Sequence, residues 1–221
     1  MPTPSKGKIT VLLAEDQPVT SAGIRAILER AKDMHLVGEA RDGYEAQKLV
    51  GELRPMVLLL DLKMPGPRPS EIEKWVRERY PETVTLVLTS HDRDAFLAAM
   101  MDAGVSGYLS KNDSTDRLID AIRRAVSGET LFDDEQISRA LKWRQTVNKK
   151  WDDLSERERE LLKHLSTGAG NKKIAKALNI SLKTVEFHMT NILKKLDMSS
   201  REEAMIWMRE HHPDDPDRFK D

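Results

Sequence analysis

Over residues 8–127, short apolar runs alternate with longer amphipathic stretches. The runs, rich in Leu, Val and Ile, predict strands at Ile9–Ala14, His35–Ala40, Met56–Asp61, Val84–Thr89 and Gly107–Ser110. The amphipathic stretches predict helices at Val19–Arg30, Tyr44–Leu53, Ser70–Arg79, Arg93–Asp102 and Thr115–Ser127. This order indicates an α/β fold with a doubly wound, five-stranded parallel sheet.

From Asp152 the pattern becomes purely helical. Helices are predicted at Ser155–Ser166, Asn171–Leu178, Ser181–Leu196 and Arg201–Arg209. We therefore expect an α/β domain over residues 8–127, a linker over 128–150 and an all-α domain over 151–210. The linker is predicted to be helical from Asp134 to about Trp143, and residues 211–221 are predicted to be a frayed tail.

Composition excludes several classes of protein. The chain of 221 residues has no cysteine, which rules out disulfides, thiol catalysis and cysteine-ligated zinc. No apolar run approaches the length of a membrane span, and the first residues do not form a signal peptide. We therefore expect a cytoplasmic protein with no membrane partner.

The net charge of −1 argues against a nucleic-acid partner, but the distribution of charge changes this view. Between Asn171 and Leu196 there are six lysines and one glutamate. The sequence therefore predicts a local basic surface on the second domain.

Polar side chains follow four of the predicted strands. Glu15 and Asp16 follow the first strand, Asp61 ends the third, Thr89 ends the fourth and Lys111 follows the fifth. Parallel strands carry their sites at the carboxyl edge of the sheet, so these groups should converge. Together they predict a place where a carboxylate is phosphorylated on a divalent metal.

Each group has a predicted role. Asp16 and Asp61 are expected to bind Mg²⁺ directly, and Glu15 directly or through water, because Mg²⁺ prefers hard oxygen ligands. Asp61 would take the phosphoryl group as an aspartyl phosphate. Lys111 and Thr89 would neutralise and hydrogen-bond the phosphoryl oxygens.

Other interpretations stand beside this one. Any one of these residues alone would more often be a solvated strand end or a helix cap, but four residue types in order are much less expected by chance. A phosphatase-like hydrolase with Asp61 as its nucleophile is a weaker alternative, because Lys63 stands where the usual second aspartate would be.

Residues 8–127 resemble a response-regulator receiver domain, which has a flavodoxin-like sheet. The resemblance rests on Glu15-Asp16, on Asp61 within Asp-Leu-Lys-Met-Pro-Gly, on Leu88-Thr89-Ser90 and on Gly107-Tyr108-Leu109-Ser110-Lys111. It implies a phospho-accepting regulator that a sensor histidine kinase phosphorylates on Asp61, not an enzyme, although slow self-dephosphorylation could occur.

The resemblance also assigns roles to nearby residues. Thr89 and Tyr108 would be repositioned as a switch when the phosphoryl group arrives. Lys63 would offer its backbone carbonyl to the metal, and the side chains of Lys63 and His91 would tune loss of the phosphoryl group. The loop departs from the family pattern at Pro69, where a glycine is usual. We therefore expect a stiffer loop of different shape, with consequences for kinase docking and switching speed.

The second domain carries a helix-turn-helix pattern. Val185, Met189, Ile192 and Leu196 form a core stripe along one helix, and a preceding short helix and turn complete the motif. The predicted DNA contacts are Lys172, Lys173, Lys183, Thr184, Glu186, Phe187, Thr190, Lys194 and Lys195. Periodicity alone fits equally well a small helical bundle whose lysines give solubility, or a domain that docks another protein.

The particular residues of this segment favour DNA binding. Leu154-Ser155-Glu156-Arg157-Glu158, Asn171-Lys172-Lys173-Ile174-Ala175 and Ile180-Ser181-Leu182-Lys183-Thr184-Val185 resemble a LuxR-type helix-turn-helix over about residues 152–208. Joined to the receiver resemblance, this makes the chain similar to NarL/FixJ-type response regulators over nearly its whole length. The resemblance implies control of transcription by sequence-specific binding to double-stranded DNA, as a homodimer when phosphorylated.

Glu186 departs from the LuxR-type pattern, because a lysine or another DNA-compatible residue is common there. A carboxylate can accept from cytosine N4 but is repelled by phosphates. Glu186 therefore either reads a cytosine or weakens binding and leaves more of the energy to dimerisation.

Overall fold

A computed structural model describes residues 7–90 and 93–211. The chain divides after Ala140 into two compact units. Within the described residues, no helix combines the length and apolar character that a membrane crossing requires.

The first unit is built on a five-stranded parallel sheet in the order β2-β1-β3-β4-β5. The strands are β1 (Ile9–Ala14), β2 (Met34–Ala40), β3 (Val57–Leu60), β4 (Val84–Thr89) and β5 (Gly107–Ser110). The connecting helices are α1 (Pro18–Arg30), α2 (Gly43–Leu53), α3 (Pro69–Arg79), α4 (Asp94–Ala103) and α5 (Thr115–Val126). The predicted doubly wound α/β fold is confirmed.

The core lies on both faces of the sheet. On one face, Leu13 and Leu59 pack with residues of α1 and α5 in a single apolar cluster. The alternate residues, such as Leu12 and Leu58, point to the other face and are also fully buried. Every residue of β3 is therefore buried, which explains why its sequence lacks polar alternation.

Pro69 fits the structure as the first residue of α3. Arg68 is the N-cap, and its backbone N–H donates to Glu71 Oε2 at 3.3 Å. Proline suits the first helical position because its missing N–H would have no partner inside the helix. The preceding loop turns at Gly66, whose φ of +108° favours glycine. A side chain there would also lie 3.1 Å from the backbone nitrogen of Gly43.

A sixth helix, α6 (Asp134–Asp152), occupies most of the predicted linker. It extends well beyond Trp143 because the following residues include neither proline nor glycine. The boundary between the two units falls within this helix, so residues 134–140 belong to the first unit and residues 141–152 to the second.

The second unit continues with α7 (Glu156–Ser166), α8 (Asn171–Leu178), α9 (Leu182–Leu196) and α10 (Arg201–His211). Their apolar faces meet in one cluster that includes Leu161, Ile174, Val185, Ile192 and Trp207. The predicted all-α domain is therefore confirmed as a fold. Residues 212–221, most of the predicted tail, lie outside the described residues.

Candidate functional site

The backbone brings the polar strand-end residues to one edge of the sheet. Asp61 N–H donates to the carbonyl of Ala14 at 3.0 Å, and Lys111 N–H donates to the carbonyl of Thr89 at 2.9 Å. These hydrogen bonds extend the ladder by one residue beyond the strands and fix the spacing of the residues that follow. We call Glu15, Asp16, Asp61, Thr89 and Lys111 the acid pocket.

A buried ammonium bridges two carboxylates in the acid pocket. Lys111 Nζ lies 2.6 Å from Glu15 Oε2 and 2.9 Å from Asp61 Oδ2. Its side chain is only 8% exposed, and those of Glu15 and Asp61 are almost fully buried. One positive charge is thus shared between two negative charges in a poorly solvated place, where electrostatic interactions are strong.

The carboxylates form a group that could hold a cation. Ligand oxygens of Glu15, Asp16 and Asp61 all lie within 4.8 Å of one another. Among the described residues, buried oxygens Asp16 Oδ1 and Asp61 Oδ2 accept no hydrogen bond, although Lys111 is in electrostatic contact with the latter. An unpartnered Asp16 oxygen beside two further carboxylates fits a divalent cation such as Mg²⁺.

The pKa of Glu15 is raised above its usual value. Burial is the main cause, and the nearby charge of Asp61 acts in the same direction. Hydrogen bonds from Lys111 and from the backbone N–H of Gln17 lower the pKa but do not compensate. The pocket therefore has an excess of negative charge that the lysine alone does not satisfy.

Asp61 is held in one orientation. Its Oδ1 accepts a hydrogen bond from the backbone N–H of Leu62 at 2.8 Å, which leaves Oδ2 directed toward Lys111. Thr89 and Tyr108 are 2% and 3% exposed, so both predicted switch residues are buried. Lys63 is exposed, and His91 lies outside the described residues.

The helix-turn-helix is formed as the pattern predicts. Asn179, with φ of 52°, ends α8, and the Ser181 hydroxyl caps α9 by accepting from Thr184 N–H at 3.0 Å. Val185 and Ile192 are fully buried, whereas Phe187 is 63% exposed. The other exposed side chains among the predicted contacts are those of Lys172, Lys173, Lys183, Glu186, Thr190, Lys194 and Lys195.

Lys195 has a partner that the sequence analysis missed. Its Nζ lies 2.7 Å from Glu158 Oε2, which also accepts from Ser155 N–H at 2.8 Å. Burial would raise the pKa of Glu158, but the hydrogen bonds from Lys195 and Ser155 outweigh it and the pKa is lowered. Ser155 and Glu158 also form a capping box at the start of α7, and nothing in the sequence pattern links either residue to Lys195.

Comparisons with known proteins agree with this organisation. Residues 11–123 match the family model of the response regulator receiver domain, and residues 152–208 match that of bacterial regulatory proteins of the luxR family. The chain is 38% identical over 207 residues to the oxygen regulatory protein NreC of Staphylococcus epidermidis, covering 88% of this chain and 94% of NreC. It is 34% identical over 207 residues to the response regulator protein VraR of Staphylococcus aureus, covering 92% and 98%.

A solved structure of two RcsB dimers bound to two parallel DNAs is also similar, with a TM-score of 0.66 and 25% identity. The similarity covers 93% of this chain and 100% of the RcsB chain. The protein belongs to the response regulators of the NarL/FixJ type, which carry a receiver domain followed by a LuxR-type DNA-binding domain. It is thus a regulator of transcription that acts through DNA binding.

Proposed function

We propose that Asp61 accepts a phosphoryl group from a sensor histidine kinase and that this modification controls DNA binding by the second unit. The observation that carries the proposal is the position of Asp61, which is buried, contacts Lys111 and lies with Glu15 and Asp16 in one cluster. A solvated strand-end aspartate would not lie beside a buried glutamate, a half-buried aspartate and a shared ammonium.

The geometry supports Asp61 Oδ2 as the attacking oxygen. Oδ1 accepts from Leu62 N–H, whereas Oδ2 is contacted by the Lys111 ammonium at 2.9 Å and faces the acid pocket. The bond from Oδ2 to phosphorus forms as the bond from phosphorus to the kinase histidine breaks, and the histidine nitrogen keeps the electron pair. The Lys111 ammonium then pairs with a phosphoryl oxygen, and Thr89 supplies a hydroxyl donor at the next strand end.

Mg²⁺ would be held by Glu15, Asp16, Asp61 and the backbone carbonyl of Lys63. When bound, it supplies positive charge that lets a carboxylate and a phosphoryl dianion approach each other. The buried, unpartnered oxygen of Asp16 supports this assignment.

We propose further that α9 enters a major groove. The residues offered for DNA contact are Lys172, Lys173, Lys183, Thr184, Glu186, Phe187, Thr190 and Lys194, with Lys195 in a mainly structural role because of its contact with Glu158. Receiver function would reside in residues 8–127 and DNA binding in residues 151–210. A homodimer on DNA is proposed by analogy with the RcsB dimers.

The acceptor assignment is tested by incubating the protein with acetyl phosphate and Mg²⁺ and counting phosphoryl groups by intact mass. We expect one group on the wild type, none on Asp61→Asn, and one on the control Asp116→Asn, which changes an exposed acid of α5. The asparagine amide has the same shape as the carboxylate but does not attack phosphorus. Labelling of Asp61→Asn at the wild-type level would refute the assignment.

A further inference from the structure

Residues 129–140, which we call the latch segment, are hydrogen-bonded to the β5 region, which carries the predicted switch residue Tyr108. Leu131 N–H donates to the carbonyl of Ser106 at 2.6 Å, and Leu131 forms a parallel bridge with Gly107. A Cβ atom at Gly107 would lie 3.0 Å from the Cβ of Leu131, so the glycine permits this close approach. Leu131 also packs against the apolar core of the first unit.

The side chain of Gln136 joins the start of α6 to the predicted switch residue Tyr108. Gln136 Nε2 donates to the backbone carbonyl of Tyr108 at 3.0 Å. The same side chain accepts from Asp133 N–H at 3.2 Å, while Asp133 Oδ1 accepts from Gln136 N–H at 2.7 Å. The amino-terminal cap of α6 therefore depends on where the backbone of Tyr108 lies.

A second contact joins the latch segment to α4. Arg139 approaches Asp94 Oδ1 through Nε at 2.8 Å and through Nη2 at 2.7 Å. Asp94 is the first residue of α4, where a negative charge is also favoured by the helix dipole. The next residue of the latch segment, Ala140, is fully buried.

The two residues that the latch segment contacts, Tyr108 and Asp94, lie on elements adjacent in the chain to residues of the acid pocket. Tyr108 stands three positions before Lys111 on the chain, and α4 is the helix that follows Thr89 and its strand. The Lys111 ammonium now lies 2.9 Å from Asp61 Oδ2, so it must shift when this oxygen carries a phosphoryl group and the ammonium pairs with a phosphoryl oxygen instead. Lys111 is tied through its backbone N–H to the carbonyl of Thr89, so a shift of Lys111 acts on both strand ends.

We propose that the latch segment is closed when Lys111 contacts the free Asp61 carboxylate and is released from Tyr108 and Asp94 when Asp61 is phosphorylated. This inference rests on the proposed function and names its regulation. Because coupling between two sites is reciprocal, weakening the latch should also favour phosphorylation. The closed latch therefore disfavours phosphorylation of Asp61, and phosphorylation of Asp61 in turn opens the latch.

Hydrogen exchange of the full-length protein tests the latch directly. The Leu131 amide, which is protected by Ser106, is followed by mass spectrometry before and after treatment with acetyl phosphate and Mg²⁺. We expect its exchange to become at least about fivefold faster in the phosphorylated protein, the lower end of typical coupling between sites.

Two variants should open the latch without phosphorylation. Arg139→Glu places a negative charge against Asp94, and Gln136→Glu keeps the acceptor for Asp133 N–H but removes the donor to Tyr108. In both variants, we expect faster exchange at Leu131 and a higher extent of labelling by acetyl phosphate. Arg139→Lys should restore most of the protection because it keeps the charge.

Arg123→Glu is the matched control, since it reverses the same charge in another ion pair of the first unit, with Asp33. Exchange at Leu131 that is no faster in Arg139→Glu and Gln136→Glu than in Arg123→Glu would overturn the latch. If Asp61 is labelled normally and exchange of the Leu131 amide does not change, the latch is refuted but the proposed function is not. Absence of labelling in the wild type would refute the proposed function and the coupling with it.

Discussion

The acid pocket and the contact between α7 and α9 each place a buried glutamate beside a lysine ammonium at nearly the same distance. Glu15 lies 2.6 Å from Lys111, and Glu158 lies 2.7 Å from Lys195. The pKa values of the two glutamates nevertheless shift in opposite directions, upward for Glu15 and downward for Glu158. Distance to the lysine therefore does not decide the direction in which either pKa shifts.

The difference comes from what else surrounds each pair. Lys111 is shared with Asp61, whose negative charge adds to the effect of burial on Glu15. Lys195 serves Glu158 alone among the described carboxylates, and the backbone and hydroxyl of Ser155 add hydrogen bonds. The first arrangement is short of positive charge and suits a bound cation, whereas the second has its charge balanced and suits a structural contact.

The largest expected effect concerns a third buried glutamate. Burial raises the pKa of Glu73 from 4.5 to about 7, because the contact with Thr85 and the charge of Arg77 are weaker influences. The unfolded chain then loses its proton at a lower pH than the folded chain, so stability should fall as the pH rises from 4.5 through about 7. The loss should reach about 3 kcal/mol above pH 7.

Urea unfolding between pH 5 and pH 8 measures this loss. Glu73→Gln cannot ionise and should lack this part of the pH dependence, whereas Glu78→Gln, which changes an exposed residue of the same helix, should keep it. Parallel pH profiles for the wild type and Glu73→Gln would show that burial does not raise the pKa of Glu73.

The next effect tests whether the acid pocket, unlike the contact of Glu158 with Lys195, needs a further positive charge. Asp16→Asn removes one anionic ligand and should weaken Mg²⁺ binding by at least about tenfold, since loss even of an outer-shell partner costs about 10–100-fold. Calorimetric titration with Mg²⁺ measures the change, with Asp116→Asn as the control. An unaltered titration would show that Asp16 is not a ligand.

The smallest effect separates two neighbouring lysines of α9. Lys195→Ala leaves the buried charge of Glu158 without its partner and should destabilise the protein by about 1–2 kcal/mol, reduced from the value for a buried pair by solvent access to the lysine. Lys194→Ala should change stability by less than about 0.5 kcal/mol but weaken binding to all DNA sequences about equally. Urea unfolding and DNA titrations at several salt concentrations check both. Equal stability of the two variants would mean that Lys195 does not form a structural contact.

Sequence periodicity predicted most of the fold because the strands and helices depend on local patterns of burial. The strand-end rule also indicated that Asp61 and Lys111 would meet, since parallel strands end at a common edge. The contact of Lys195 with Glu158 was not predictable in this way, because no comparable rule gives which residues of two packed helices meet. The length of α6 was underestimated because its mixed polar residues carry no clear amphipathic period.

The central claim is that phosphorylation of Asp61 controls DNA binding, and fluorescence anisotropy with a duplex enriched from a random library tests it most directly. We expect acetyl phosphate with Mg²⁺ to raise the affinity of the wild type by at least about fivefold, a typical coupling between two sites. Asp61→Asn should bind with the same affinity with and without acetyl phosphate. Equal affinity of phosphorylated and unphosphorylated wild type, with Asp61 labelled, would contradict the account.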